Sequence, residues 1–405
     1  MRTLAVLSMH TSPLAQPGAG DSGGMNVYVR ELVSALAQAG VRTDVYVRRW
    51  HDDLPEVVDV EPGFRVVHVD AGPPDLAKEK LAEVVEDFTD AVGEHLAASG
   101  QTDAIHANYW LSGLAGHRLK HELSLPLVST FHTLARVKAE MGDAEPARRA
   151  RAETEIIGCS DAILASCEAE ASQLVEHYGA NRSRIEIVPP GVDHAFFSPG
   201  ERRGARQALH LGDHPVLLFV GRIQPLKGAD VAVRALGELS ARHPDAVLVV
   251  VGGASGQDGP AEELHVRRLV AELGLVDRVR FVPPQPHHLL STYYRAADVC
   301  VVPSRSESFG LVALEAAACG TPVVAADVGG LTTLVDHGES GFLVDERDPA
   351  AYARFIDRIL SDHGSSAAMG RAAARRAVHY RWSTTAARLR RVYADLTARA
   401  LVECA

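Results

Sequence analysis

Apolar runs recur along the chain, each followed by a stretch whose apolar positions repeat at helical spacing. In the first half these runs are Thr3 to Met9, Thr43 to Val47, Arg65 to Val69, Asp103 to His106, Leu127 to Phe131, Ala162 to Ala165 and Ile185 to Val188. Short β-branched strands alternating with helices are the signature of a parallel sheet with crossover helices. The pattern breaks at Pro189-Pro190-Gly191-Val192-Asp193 and again at Ser198-Pro199-Gly200, which predicts a change of domain. A second series then begins with strands Val216 to Val220, Ala246 to Val251, Val279 to Val282, Val299 to Val302, Pro322 to Ala325 and Phe342 to Val344. The stretch from Trp382 through Arg388, Leu389 and Tyr393 has a helical apolar period. The expectation is an α/β protein of two Rossmann-like domains, 1–195 and 196–380, with a final helix in 381–405 that can pack back on the first domain.

Composition narrows this picture. A chain of 405 residues suits two domains, and 46% apolar residues with few aromatics argue against disorder. The formal charge of -11 argues against a nucleic-acid-coating protein, so any anion site is local. The Arg371 to Arg376 tract reads as a solvated helix face. Cys159, Cys167, Cys300, Cys319 and Cys404 are scattered, with no CxxC pair and no matching His spacing. They are expected to be buried or free thiols, with neither zinc nor a disulfide framework. The N-terminal apolar run is too short for a signal sequence and leads into a Gly-rich loop, and no segment has the roughly 20 apolar residues of a membrane span. A soluble, cytoplasmic protein is expected.

Three segments carry candidate chemistry. The loop from His10 to Asn26 contains Gly18-Ala19-Gly20-Asp21-Ser22-Gly23, which satisfies GxGxxG. The match starts about ten residues beyond the strand, and the next strand ends in Val47-Arg48-Arg49, not in an acid, so a dinucleotide fingerprint scores poorly. An NADP-dependent reductase is the reading it would support. Gly23-Gly24 ahead of a helix still lets backbone N–H groups approach an anion. In Gly221-Arg222-Ile223-Gln224-Pro225-Leu226-Lys227-Gly228, two cations at a strand end can reach one diphosphate and neutralise charge on a leaving group. In Pro303 to Glu315, Glu307 lies in a loop and Glu315 stands about two turns into the next helix. The two carboxylates suit separate hydroxyl pairs, one on a donor sugar and one on a ribose, and the exposed N–H groups of Phe309, Gly310 and Leu311 suit phosphate.

Together, these three segments resemble the large retaining glycosyltransferase family that includes sucrose synthases and sucrose-phosphate synthases, across almost the whole chain. Within it, His10-Thr-Ser-Pro-Leu-Ala-Gln-Pro-Gly and Asp21-Ser-Gly-Gly-Met-Asn-Val-Tyr resemble the branch that transfers N-acetylglucosamine from UDP-N-acetylglucosamine to 1D-myo-inositol 3-phosphate, opening mycothiol biosynthesis. The resemblance implies a GT-B fold, two Rossmann-like domains facing each other across a cleft, and an enzyme of the hexosyltransferase (EC 2.4.1) type. It assigns Gly23, Gly24, Arg222, Lys227, Glu307 and Glu315 to the donor, with Glu315 on the ribose and Glu307 on the transferred sugar. His132 is implied as the histidine beside the donor sugar, near the reaction centre. His10, Asn26, Lys78, Tyr109, Thr133 and Arg149 match acceptor positions, a set of donors suited to phosphate.

Two positions depart from that branch. Gln285 stands where its members have an arginine beside the uracil, and the loop between Lys138 and Arg148 is differently built. A magnesium ion is implied near Tyr294, Arg295, Ala297 and Thr321, away from the chemistry and not required by it. No carboxylate matches a nucleophile, so the resemblance implies front-face retention, in which the departing phosphate oxygen takes the acceptor proton. The expected partners are a nucleotide diphosphate sugar and a small phosphorylated acceptor, with no nucleic acid, no membrane insertion and a homodimer as the expected assembly. The rival readings are a sucrose-phosphate-synthase-like transferase using UDP-glucose or another hexose donor, and a sugar-nucleotide-binding regulator without turnover.

Overall fold

The computed structural model describes residues 2–18, 22–143, 145–256, 258–345 and 347–404. Two compact units emerge, each built on one sheet. The first comprises Met1–Ala15, Met25–Gly191 and Trp382–Ala405, and the second Gln16–Gly24 and Val192–Arg381. The change of unit at Gly191 falls four residues before the expected boundary at 195, and Gln16–Gly24 goes with the second unit instead of the first.

The sheet of the first unit contains β1 (Thr3–Leu7), β2 (Arg42–Arg48), β3 (Val57–Glu61), β4 (Phe64–Val69), β5 (Ala104–Asn108), β6 (Leu127–Thr130), β7 (Ala162–Ala165) and β8 (Ile185–Ile187), in the order β3-β4-β2-β1-β5-β6-β7-β8. Successive side chains of β1 feed opposite faces. Leu4 and Val6 join one core cluster, and Ala5 and Leu7 join the other, so both faces are buried and the run reads as continuously apolar. All pairings are parallel except β3 with β4. Strand β3 was not predicted. Its sequence, Val57-Val58-Asp59-Val60-Glu61, mixes acids into a partly exposed edge, and only its antiparallel pairing with β4 across the Pro62-Gly63 turn makes it a strand.

The second unit holds β9 (Val216–Val220), β10 (Val247–Val251), β11 (Val279–Val282), β12 (Val299–Val302), β13 (Val323–Ala326) and β14 (Gly341–Val344), in the all-parallel order β11-β10-β9-β12-β13-β14. Strand β9 divides as β1 does, with Leu217 and Phe219 in one cluster and Val216 and Leu218 in the other.

The helix Trp382–Thr397 belongs to the first unit. Trp382, Ala386, Leu389, Tyr393 and Leu396 form a buried stripe at spacings of three and four, packed with Tyr28, Val29 and Val33. Each large apolar side chain buried this way contributes roughly 1.5–3 kcal/mol. The Tyr393 hydroxyl also meets His106 Nδ1 at 2.8 Å in the interior. Among the described residues, no helix is long and apolar enough to cross a membrane.

Candidate active site

In both sheets the strand order reverses at one point, and in open parallel sheets ligands bind outside the carboxyl ends of the strands at such a point. In the second unit the reversal lies between β9 and β12. Lys227 follows β9 and Glu307 follows β12, and Lys227 Nζ meets Glu307 Oε2 at 2.6 Å. Both side chains keep about a fifth of their surface exposed, 22% and 20%, so a ligand can reach the pair. Ser304 Oγ donates to the same carboxylate oxygen at 3.3 Å.

Glycines bring the two loops this close. Gly228 caps the helix Ala229–Glu238 in the left-handed region at φ 74°, and a Cβ there would lie 2.4 Å from the Pro303 carbonyl oxygen. Gly330 donates its N–H to the Glu307 carbonyl at 3.0 Å, and a Cβ on it would fall 2.3 Å from Phe309 Cα. Gly329 and Gly330 therefore seat the loop that carries Glu307, a role not predicted from the sequence.

Glu315 lies on the helix Leu311–Ala318 and is buried. Its two oxygens meet His287 Nε2 at 2.7 Å and the Tyr294 hydroxyl at 2.8 Å. Burial, with Glu315 alongside, pushes the Tyr294 phenol well up, so it is a neutral donor. A carboxylate with about four lone-pair sites still has capacity for a further donor. Neither His287 nor Tyr294 was predicted as a partner of Glu315. Gly310, at φ 105°, precedes the helix, and Phe309 is buried beneath it. Arg222 lies against Gly23, where a Cβ would sit 3.2 Å from its Nε, and Leu311 Cδ1 would lie 3.7 Å from a Cβ on Gly24. The Gln285 amide folds back on the Pro283 carbonyl at 2.9 Å, and Gln16 reaches the Pro284 carbonyl at 2.9 Å.

The implied magnesium position does not suit a hard cation. The Tyr294 carbonyl accepts from the Thr321 hydroxyl at 2.7 Å and from the Ala297 N–H at 3.2 Å, and Arg295 turns its guanidinium to the Ser198 carbonyl at 2.8 Å. These four residues supply no carboxylate and bond to their own neighbours, whereas magnesium is usually held through one or two carboxylates and several waters. No step is derived through it.

In the first unit the reversal lies between β1 and β5. His10 follows β1 and Tyr109 follows β5, with ring centroids 4.4 Å apart. Tyr109 and His132, which follow the neighbouring strands β5 and β6, have φ of 74° and 62°. A bulky residue in the left-handed region stores strain of order 1–3 kcal/mol and persists only where its surroundings hold it. His132 Nε2 donates to Asn108 Oδ1 at 2.9 Å, and its ring stands edge-on to Tyr28. Burial, with smaller contributions from His106 and His10, holds its pKa down at about 3, so the imidazole is neutral. Asn108 Nδ2 is buried without a partner among the described residues, a donor the sequence did not single out.

Arg149 is buried at the centre of a charged network. Its guanidinium donates to the Thr133 carbonyl at 2.8 Å, Thr133 Oγ1 at 2.9 Å and Glu153 Oε1 at 2.8 Å, pairs with Glu145 at 2.9 Å, and stacks over Tyr109 at 4.9 Å. The unpredicted Glu145 is shared with Lys138. Asn26 donates to Thr11 Oγ1 at 2.5 Å and to the Ser12 carbonyl at 2.6 Å, so it holds the loop after β1. His10, Tyr109, Thr133 and Arg149 thus form a connected group. Lys78 is exposed and opens the turn Lys78–Val84; Arg148 reaches the carbonyl of the adjacent Glu79 at 2.8 Å.

Two other expectations meet the structure here. Gly20, the middle glycine of the GxGxxG match, and its neighbours Ala19 and Asp21 lie outside the described residues. Arg48 donates to the Pro73 and Pro74 carbonyls at 2.8 and 3.0 Å, and Arg49 pairs with Asp70 at 2.7 Å, so both serve the fold of the first unit. Of the cysteines, Cys167, Cys300 and Cys319 are buried and lie outside any disulfide, as expected. Cys159 and Cys404 instead come together, which corrects the reading of five unpaired thiols. Their separation of 245 residues leaves no local spacing signal.

The family of glycosyl transferases group 1 matches residues 202–376, and glycosyltransferase family 4 matches residues 22–196. D-inositol 3-phosphate glycosyltransferase 2 of Catenulispora acidiphila is 48% identical over 404 residues, covering 97% of this chain and 94% of that protein. The chain belongs to the retaining glycosyltransferases of family 4. The D-inositol 3-phosphate glycosyltransferase of Acidothermus cellulolyticus is 47% identical, with 98% and 91% covered. Among solved structures, sucrose-phosphate synthase from Thermosynechococcus elongatus superposes with a TM-score of 0.92 at 35% identity, covering 98% of this chain and all of that one. Anabaena HepE in complex with UDP and glucose superposes with a TM-score of 0.80 at 20% identity, covering 97% and 100%. The fold is GT-B, with two Rossmann-like domains.

Proposed function

We propose that this family 4 enzyme transfers N-acetylglucosamine from UDP-N-acetylglucosamine to 1D-myo-inositol 3-phosphate, with retention at the anomeric carbon, in the cytoplasm where nucleotide sugars are made. The observation that carries the reading is the meeting of Lys227 and Glu307 at the strand-order reversal of the second unit, in a chain 48% identical to a D-inositol 3-phosphate glycosyltransferase. A free Lys–Glu pair is a poor end in itself at a half-open surface, since such pairs contribute only about 0–1 kcal/mol to stability. As a donor site it makes sense. The ammonium turns to the diphosphate, the carboxylate accepts from sugar hydroxyls, and Arg222 adds the second positive charge on the leaving group. Glu315, oriented by His287 and Tyr294, takes the ribose.

In the first unit, Tyr109, Thr133 and Arg149 bind the acceptor phosphate. For Arg149 this requires the phosphate to displace Glu145, which Lys138 can retain. Neutral His132 donates no charge and serves to position the sugar. The acceptor hydroxyl bonds to the anomeric carbon as the bond to the β-phosphate oxygen breaks, and that departing oxygen takes the hydroxyl proton. UDP leaves with its charge balanced by Arg222 and Lys227.

The test is a UDP-release assay with the two donors and two acceptors crossed. Release with UDP-N-acetylglucosamine and inositol 3-phosphate supports the reading. Likeness to sucrose-phosphate synthase at 35% identity favours one rival, and release only with UDP-glucose and fructose 6-phosphate would establish it. No release with any pair, alongside measurable UDP binding, would favour the regulator.

A further inference from the structure

Away from both candidate sites, the helix Tyr109–Leu123 presents His117 and His121, four residues apart and therefore on one face. Cys159 ends the helix Ala147–Cys159 close by, and Cys404 arrives from the tail that follows Trp382–Thr397. His121 Nε2 lies 3.4 Å from Cys159 Sγ and 3.0 Å from Cys404 Sγ, and His117 Nε2 lies 3.6 Å from Cys404 Sγ. One donor atom from each of the four falls within 4.8 Å of the others. We propose that His117, His121, Cys159 and Cys404 form a structural zinc site that fastens the tail to the first unit, separate from the transferase chemistry.

The donor set and its dimensions carry this assignment. Zinc takes thiolate sulfur at about 2.3 Å and imidazole nitrogen at about 2.0–2.1 Å, so tetrahedral geometry sets donor-to-donor distances of about 3.3–3.8 Å. Two of the nitrogen-to-sulfur distances, 3.4 and 3.6 Å, fall inside that range, and the third, 3.0 Å, lies just below it. The structure pairs the two sulfurs, with Cα atoms 4.8 Å apart, and rotation about either χ1 changes their separation without moving the backbone. A disulfide alone would use two of the four groups and give the two imidazoles no task, whereas a metal uses all four. Two thiolates and two imidazoles favour zinc over the oxygen-seeking cations. Four protein ligands leave no open position, which makes the site structural and not catalytic.

The surroundings supply what a metal site needs beyond its ligands. His117 turns its other nitrogen, Nδ1, toward Glu155 Oε1 at 3.7 Å, the carboxylate partner that orients metal-bound histidines. The tail is delivered by an independent anchor: Val402 N–H donates to Asp161 Oδ1 at 2.6 Å, and Asp161 is itself buried in a pair with Lys120 at 2.9 Å. Lys120 precedes His121, so the anchor and the ligands share one helix. His121 and Cys404 are exposed, which gives the ion a way in.

The experiment uses the full chain, purified reduced and without chelator. One zinc per chain is expected by elemental analysis. After metal removal, Co2+ should titrate at one equivalent with thiolate charge-transfer and tetrahedral ligand-field absorption. His121→Ala and Cys404→Ser should each weaken Co2+ binding by more than about 100-fold, and Glu155→Gln by about 10–100-fold. Circular dichroism and melting of each metal-free variant, expected to match the metal-free parent, separate ligand loss from misfolding. The double variant His117→Ala/His121→Ala keeps both thiols, so it should lose the cobalt spectrum while still able to form a disulfide. A reduced, folded chain that gives no tetrahedral cobalt spectrum overturns the proposal. So does an unchanged spectrum in the double variant, or a zinc-free isolated protein with Cys159 and Cys404 covalently joined.

Discussion

The two strand-order reversals of this molecule hold opposite kinds of polar group. Between β9 and β12, Lys227 and Glu307 pair at a partly open surface, brought together by glycines that allow close backbone approach. Between β1 and β5, His10 and Tyr109 stack on a buried network in which Arg149 and Glu153 are almost fully enclosed, with side-chain exposures of 3% and 0%. The first arrangement costs the fold little and leaves its charges available to a ligand. The second is part of the interior, so its residues serve stability, and in the proposed function they serve binding as well. The same topology thus holds a half-open ion pair in one unit and an enclosed network in the other; in the proposed function the first meets a charged leaving group and the second trades internal partners for the acceptor.

That contrast can be broken most severely at Arg149. Arg149→Ala leaves Glu153 charged and buried, and should destabilise the protein by about 3–5 kcal/mol in chemical denaturation. Loss of under 1 kcal/mol would mean the network is not buried in solution. Lys227→Ala and Glu307→Ala should behave in the reverse way, lowering kcat/KM for UDP release by about 10²–10³ while the melting temperature barely moves. An equal fall in stability would erase the distinction between the two sites. Next in size, Gly228→Ala places a Cβ against the Pro303 carbonyl at a left-handed φ, with an expected cost of about 1–3 kcal/mol and weaker UDP binding by calorimetry.

The smallest effect comes from pH. Burial holds the His132 and His106 pKa values at about 3, below the unfolded 6.5, so the unfolded chain binds more protons between those values. The stability they confer is complete above pH 6.5 and is lost as pH falls toward 3. From pH 7 to 6 the two together should cost about 1.4 kcal/mol, read as a lower melting temperature, with no limb in the pH–rate profile near 6.5 from His132. If His132→Gln abolishes a limb near pH 6.5, the imidazole is not buried neutral.

Legibility in the sequence follows the same division. Arg222, Lys227, Glu307 and Glu315 stand in short contiguous motifs, because strand, glycine turn and helix cap are consecutive in the chain. Their supports were not legible: Gly329, Gly330, His287 and Tyr294 reach the site from other loops and helices. In the first unit, Tyr109 and His132 were assigned by resemblance, yet their left-handed backbone and the orphaned Asn108 donor emerge only when β5 and β6 lie side by side. Edge strand β3 was missed for a related reason, since its partner and not its composition makes it a strand.

The sequence by itself determined the two α/β units, the strands at their centres, and the glycine-rich motifs that carry Lys227 and Glu307, because buried parallel strands are uniformly apolar and tight turns between strand and helix require glycine locally. Only the tertiary structure decided which charges are enclosed, which backbone is strained, and where the chain's ends go. The helix Trp382–Thr397 returns to the first unit because its apolar stripe meets Tyr28, Val29 and Val33 there. The tail beyond it carries Cys404 to Cys159, His117 and His121. Contacts between residues hundreds of positions apart leave no periodicity or spacing behind, so packing alone reveals them.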